Sequence, residues 1–312
     1  MKSWRFIILS LLAACTPRIE AAGPALAPPA LESDALAMPD GARLPLRRWF
    51  PQEPPFAVVL ALHGFNDYSK AFEGPASWLA ARGVAVYAYD QRGFGQAPHP
   101  GLWAGTGTLT GDLRQAARLI RGRHPSLPFF ILGDSMGGAV TLAALASSDP
   151  PACQAAILVA PAVWGRATMI WLQRAGLWLA AHTLPSATAS GRGLNRKPSD
   201  NIEMLRALGR DPLVIKETRI DAIHGLTDLM DEALASAPLQ KAPLLLLYGA
   251  KEEIIPNEAT QLFLKGLPHP DRQQARFYEN GYHMLLRDLN PEQPLLDILD
   301  YLASKSILGS TR

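Results

Sequence analysis

Cysteine is nearly missing from this chain of 312 residues, in which Cys15 and Cys153 stand alone. Two thiols so far apart exclude a disulfide framework as the source of stability. An excess of one charge is missing too. Thirty Lys and Arg oppose 28 Asp and Glu, a formal balance of +2 with no basic stripe, so nucleic acid is not an expected partner. The apolar run Phe6 to Ala14 is too short to span a bilayer as a permanent helix. Metal-ligand spacing and a dinucleotide-binding glycine fingerprint are also lacking, so neither a metal nor an organic cofactor is expected. What remains is 48% hydrophobic and 19% charged, the make-up of a globular protein within reach of one large α/β unit.

The first residues, MKSWRFIILSLLAACTPRIEAA, carry Lys2 and Arg5 ahead of the apolar run, with small residues at its end. This is a secretory signal pattern covering 1–14. Leu12-Ala13-Ala14-Cys15 resembles the lipobox of bacterial lipoproteins, whose cysteine sulfur receives a diacylglyceryl group. Several acyl chains on one residue give stable membrane anchoring, whereas one chain binds marginally. A lipid-anchored protein of the bacterial cell envelope is therefore expected, in the outer membrane if the source has one. Cys153 is left as a free, buried thiol. Residues 15–33, rich in alanine and proline, read as the lipidated cysteine and a flexible, extended tether.

Beyond it Pro39-Asp40-Gly41 marks a turn between two short strands, a β-hairpin. Apolar runs of strand length follow at 57–63, 84–89, 128–133, 155–160, 243–248 and 274–278. Near-continuous apolar runs suit strands buried on both faces. Helical stretches lie between them at 74–82, 108–123, 137–147, 257–266 and 292–304. Asp112 or Thr110 is expected to cap the second, and Pro291 to sit early in the last. The alternation predicts an α/β protein with a mostly parallel central sheet flanked by helices. About eighty residues without a convincing strand interrupt it, far beyond an ordinary crossover. They read as a helical cap, 166–240, with helices near 167–184, 201–208 and 225–236, inserted between core parts 34–165 and 241–312.

Gly133-Asp134-Ser135-Met136-Gly137 matches G-x-S-x-G between a strand and a small-residue helix. The spacing has a steric reason: a nucleophile on so tight a turn takes strained angles, and side chains at the glycine positions would collide with neighbouring elements. A serine hydroxyl needs a base. Partners are expected in the order serine, acid, histidine, at the C-terminal ends of later strands. The turn after 243–248 offers Glu252 and Glu253, and the turn after 274–278 offers His283. The acid would accept the imidazole N–H and fix its tautomer. His99, His124 and His269 read as solvated loop residues, His182 and His224 as cap packing, and His63 as a loop-ordering residue. The backbone amides of Phe65 and Met136 are placed to bind the oxyanion of a tetrahedral intermediate.

With these residues in place the chain resembles the α/β-hydrolase fold, and within it the monoacylglycerol lipase and lysophospholipase group, serine aminopeptidase S33-like. The matches are the DG hairpin with Arg48-Trp49-Phe50-Pro51, HGFND at 63–67, YDQRGFG at 89–95, GDSMGG at 133–138, DPL at 211–213, GAKEEIIP at 249–256 and GYH at 281–283. The resemblance implies hydrolysis of a carboxylic ester, of a lipid with one acyl chain, by Ser135, His283 and an acid. Where the family has aspartate this chain has Glu252, favoured over Glu253 because it keeps Ile254-Ile255-Pro256 in their usual relation. Relatives with dehalogenase or epoxide hydrolase chemistry carry a carboxylate where Ser135 stands. An apolar cap over the serine suits a long acyl chain and excludes water. Packing against the core is the plain reading of Trp164, Trp171 and Trp178 individually. Thioesterase, acyltransferase and peptidase chemistry would use the same trio, and a non-catalytic binding module is the rival from another class.

Overall fold

The computed structural model describes residues 16–191 and 195–309. The signal-like stretch 1–14 and Cys15 lie outside the described residues. Among the described residues the strands run in chain order β1 (Ala30–Leu31), β2 (Ala35–Ala37), β3 (Arg43–Trp49), β4 (Ala57–Leu62), β5 (Val84–Tyr89), β6 (Phe129–Asp134), β7 (Ala155–Val159), β8 (Thr188–Ala189), β9 (Thr218–Arg219), β10 (Leu244–Gly249) and β11 (Gln273–Tyr278). The helices are α1 (Glu73–Ala80), α2 (Thr106–Arg123), α3 (Met136–Leu145), α4 (Trp171–Thr183), α5 (Ile202–Arg210), α6 (Ile220–Ala235), α7 (Asn257–Gly266) and α8 (Glu292–Gly309).

Nine strands form one sheet in the order β1-β2-β3-β5-β4-β6-β7-β10-β11. The expected hairpin joins β2 to β3, Ala37 opposite Arg43, with Gly41 at φ 83° in its turn. From β5 to β11 every pairing is parallel. Alternation of side chains sorts each central strand between two cores. Val58, Leu60 and Leu62 of β4 meet α2, α3, α6 and α7, while Ala57, Val59 and Ala61 meet α1 and α8. Phe129 and Ile131 against Phe130 and Leu132 divide β6 the same way. Each fully buried aliphatic or aromatic side chain contributes about 1.5–3 kcal/mol, which is what holds two helical layers on the sheet. The exception is β11, an edge strand with Phe277 half out of the fold, and not one buried on both faces as its apolar run suggests.

Three local expectations are corrected. Helix α2 starts at Thr106 after Gly105, capped by neither Thr110 nor Asp112. Thr110 donates its hydroxyl back to the Thr106 and Gly107 carbonyls. Asp112 lies inside the helix and grips the buried Arg92, which also holds Asp40; a guanidinium out of water needs both counter-ions. The segment read as a flexible tether is extended but fastened from residue 18 onward. Arg18 N–H reaches Asp221 of the cap, Glu20 N–H the Trp103 carbonyl, Ala22 N–H the Thr108 hydroxyl, Gly23 N–H Asp40, and Leu26 N–H the Pro39 carbonyl. His124, read as solvated, is half-buried with Nε2 2.7 Å from the Tyr87 hydroxyl.

Residues 166–240 hold α4, α5 and α6 together with a two-residue ribbon of β8 against β9. Strands so short carry no period that a sequence could display. Trp164 packs against the core, whereas Trp171 and Trp178 do not: they are 74% and 58% exposed, beside Ile170, Leu172, Leu179 and Leu184 on the outer side of α4. Cys153 is half-buried, and burial pushes its thiol up to about 12.

Candidate active site

Parallel register brings the C-terminal ends of β4, β6, β7, β10 and β11 to one edge: Leu62 stands opposite Gly133, Asp134 opposite Val159, and Gly249 opposite Tyr278. Ser135 occupies the sharp turn from β6 into α3 with φ 49° and ψ −111°, outside the ordinary regions for a residue with a side chain. The flanking glycines allow it. A Cβ at Gly137 would lie 2.1 Å from the Leu62 carbonyl oxygen, and one at Gly133 would lie 2.5 Å from that of Gly137.

His283 arrives from the turn after β11. Its Nε2 lies 3.0 Å from Ser135 Oγ and its Nδ1 lies 2.6 Å from Glu252 Oε2. Glu252 arrives from the turn after β10, its side chain shielded from solvent. Oε1 accepts the N–H groups of Ile254 and Ile255, which stops the longer acid from swinging away. Glu253 turns outward and takes the Lys197 N–H instead. The two turns touch because Gly249 has no side chain: a Cβ there would lie 2.3 Å from the Gly281 carbonyl oxygen. Burial disfavours the His283 cation, but the charge and hydrogen bond of Glu252, with Asp134 beyond, outweigh it and raise the imidazole above its ordinary value. With Nδ1–H donated to Glu252, neutral Nε2 is left to accept the Ser135 proton.

Met136 offers the first N–H of α3, a donor with no intrahelical acceptor. Across from it the turn at Gly64 presses on the nucleophile: a Cβ on Gly64 would lie 3.3 Å from Ser135 Cβ. Phe65 follows, its ring packed against Phe94 and Trp103 at 5.5 and 6.3 Å, and the residue lines the same cavity as Ser135. His63 orders this turn from a fully buried position. Nε2 accepts the Gln91 N–H, so Nδ1 carries the proton and donates to the Gly64 carbonyl. Burial also lowers its pKa, which keeps the ring neutral.

Above the trio lies a cavity of about 760 Å³ between core and cap. Trp164 with Met169, Leu177, Ile223, Leu226 and Met230 of the cap give it an apolar wall. A polar end is built from Asn66, Asp67, Asp134, Lys216, Thr218 and Arg287. Sequence reasoning missed this end. Asp67 and Arg287 pair at 2.8 Å although they are far apart in the chain, and Asn66 donates to Thr218 at 2.7 Å across the core–cap seam. Asp134 occupies a variable position of the pentapeptide, and no periodicity marks it. Elsewhere in the cap His182 stacks on Trp178, and His224 lies 3.3 Å from Asp228. Among the described residues no cluster of His, Cys, Asp and Glu could hold a metal ion.

The chain was compared with known proteins. A family model described as serine aminopeptidase, S33, matches residues 53–290. A monoacylglycerol lipase of Mycolicibacterium smegmatis is 27% identical over 274 residues, covering 85% of this chain and 94% of that protein. A monoglyceride lipase of Rattus norvegicus is 26% identical over 254 residues, covering 80% and 82%. Among solved structures, a soluble variant of the monoglyceride lipase of Saccharomyces cerevisiae superposes with a TM-score of 0.74 at 18% identity, over 93% of this chain and 98% of that one. The Paleococcus ferrophilus monoacylglycerol lipase gives 0.68 at 22% identity, over 84% and 99%. These likenesses show the α/β-hydrolase fold, a mostly parallel central sheet with flanking helices. With the family model spanning most of the fold and the nucleophile turn, this chain belongs to the serine aminopeptidase S33 family of hydrolases.

Proposed function

We propose that the protein is a serine hydrolase that cleaves carboxylic esters of single-chain lipids, of the monoacylglycerol or lysophospholipid type, through an acyl-enzyme. The observation that carries this reading is the placement of Ser135, hydrogen-bonded to His283, at the floor of a largely apolar cavity of about 760 Å³. The curated relatives above, lipases acting on monoacylglycerols by name, support the same substrate class.

In the first half-reaction Ser135 Oγ attacks the ester carbonyl carbon while its proton passes to His283 Nε2. The carbonyl oxygen takes the negative charge and is held by the amides of Phe65 and Met136, at the positive end of α3. Glu252 steadies the imidazolium. Collapse of the intermediate breaks the bond to the alcohol oxygen, which leaves with the proton from His283. In the second half-reaction His283 takes a proton from water, the hydroxide attacks the acyl carbon, and the proton returns to Ser135 as the fatty acid departs. The apolar cap wall holds the acyl chain and excludes bulk water.

Rates on a monoacylglycerol, a lysophospholipid, an acyl thioester and an aminoacyl amide of matched chain length test the bond class. The esters are expected to be hydrolysed fastest, and Ser135→Ala to lose about a million-fold in kcat. A faster thioester or amide would overturn the ester reading while leaving the trio intact. The reading includes an N-terminal lipid anchor at Cys15 in the bacterial cell envelope, supported by the Leu12-Ala13-Ala14-Cys15 sequence. Labelled palmitate is expected to enter the wild-type protein and not Cys15→Ala, and that variant to leave the membrane fraction.

A further inference from the structure

Asp134 is the odd charge of the catalytic cavity. Each other charged side chain lining it has a partner: Asp67 has Arg287, Lys216 donates to the Asp211 carbonyl, and His283 has Glu252. Asp134 borders the cavity directly beside the nucleophile, and among the described residues no group donates a hydrogen bond to its carboxylate. It lies against the turn opposite: a Cβ on Gly64 would lie 3.7 Å from Asp134 Oδ2 and 3.3 Å from Ser135 Cβ. The carboxylate and the nucleophile thus flank the same turn. Half-buried on the cavity wall, its carboxylate keeps free acceptor capacity that an arriving hydroxyl can take up.

We propose that Asp134 receives the hydroxyl-bearing alcohol part of the ester, and that its charge makes the site reject anionic head groups. This rests on the ester-hydrolase reading above and specifies the head group within it. Of the two cations at this end Arg287 is held by Asp67 and Lys216 by the Asp211 carbonyl, so the ionised Asp134 beside the nucleophile welcomes a hydroxyl donor and repels a phosphate placed against it. Asn66 and Thr218 already satisfy one another and offer a neutral rim. The groups that act on Asp134 from the surrounding elements are Arg287 and His283, which favour its charge, and Asp67 and Glu252, which oppose it. Burial is the largest influence and pushes the carboxyl up to about 6. Above that pH the carboxylate accepts from a hydroxyl and repels an anion. Below it the neutral acid does neither as strongly, so head-group selectivity is expected to weaken as the pH falls.

The test uses the purified wild type, Asp134→Asn and Asp134→Ala on three lauroyl esters: the monoacylglycerol, the methyl ester and the lysophosphatidylglycerol, whose single negative charge is fixed across the pH range used. Ratios of kcat/KM within one variant cancel differences in active fraction. The wild type is expected to favour glycerol over methyl ester, and Asp134→Ala to cut that preference about tenfold. Preference for the neutral over the anionic glycerol ester is expected to shrink in Asp134→Asn at pH about 7.5, and in the wild type between pH about 7.5 and 5. Ratios unchanged in both variants would overturn the proposal, even with all three esters hydrolysed. A wild type that cleaves no ester would instead sink the ester-hydrolase reading on which it rests.

Discussion

Core and cap solve opposite problems with their polar and apolar groups. In the core, the polar atoms that meet at the sheet edge are tied to one another: Ser135 to His283, His283 to Glu252, Glu252 to two backbone amides. The cap does the reverse with apolar atoms. Helix α4 leaves Ile170, Trp171, Leu172, Trp178 and Leu179 exposed, and its inner partners line the cavity. Cap and core are joined by apolar side chains of α6, Leu229 and Ala233 among them, buried in the core, and by polar ties such as Asn66 to Thr218 and Tyr68 to Asp211. The difference teaches where precision is needed. Atoms that exchange protons are held at hydrogen-bond distance by turns at the end of one sheet, whereas the part that receives a lipid meets it with surface.

The sharpest way to break this contrast is to loosen the core trio. Glu252→Gln keeps the shape but removes the charge that steadies His283, and is expected to cost about ten-thousand-fold in kcat. Glu253→Gln, one residue on, is expected to stay within a fewfold, since Glu253 holds only the Lys197 N–H. Equal losses in the two variants would dissolve the distinction between inner and outer acid. Next comes stability. Phe130→Ala opens a hole between sheet and helix in the core and is expected to cost about 3–5 kcal/mol in denaturant unfolding. Trp171→Ala with Trp178→Ala in the cap is expected to stay within about 0.5 kcal/mol per site, because both rings already face water. The cap pair is instead expected to slow hydrolysis of monoacylglycerol presented in vesicles several-fold, with little change on a soluble nitrophenyl ester. Equal rates in vesicles would show that the exposed face does no work at a lipid surface.

The smallest effect is a shift of pH profile. His283 must be neutral to take the Ser135 proton, so kcat/KM rises with pH as the imidazole loses its proton. Because Glu252 raises that imidazole, the limb is expected to lie above the value of about 6.5 for a free side chain. In Glu252→Gln the residual activity is expected to move its limb to lower pH. A limb that stays in place would assign the titration to another group.

Much of this was legible in the sequence where a local rule dominates. Continuous apolar runs marked the central strands, because residues buried on both faces leave no polar period to confuse. The glycines around Ser135 are forced by contacts under 3 Å, so the nucleophile turn announced itself. Order along the chain placed Glu252 and His283, and the structure brings both to Ser135. What stayed hidden depends on distant partners. Asp112 looks like a cap residue until Arg92 is seen beside it. Residues 18–26 look loose until their amides meet Trp103, Thr108, Asp40 and Pro39. The outer face of α4 looked like packing because its apolar residues are as dense as those of a core helix. Asp67 closes the HGFND match and Arg287 belongs to no motif, and only the fold pairs them at one end of a cavity.

The most direct measurement is the site of covalent capture. The intact protein is treated with a fluorophosphonate, digested and mapped by mass spectrometry. A single adduct on Ser135, absent from Ser135→Ala and slowed in Glu252→Gln, is the expected result. An adduct on another residue, or undiminished labelling of Ser135→Ala, would contradict the assignment of the nucleophile and with it the account of the site.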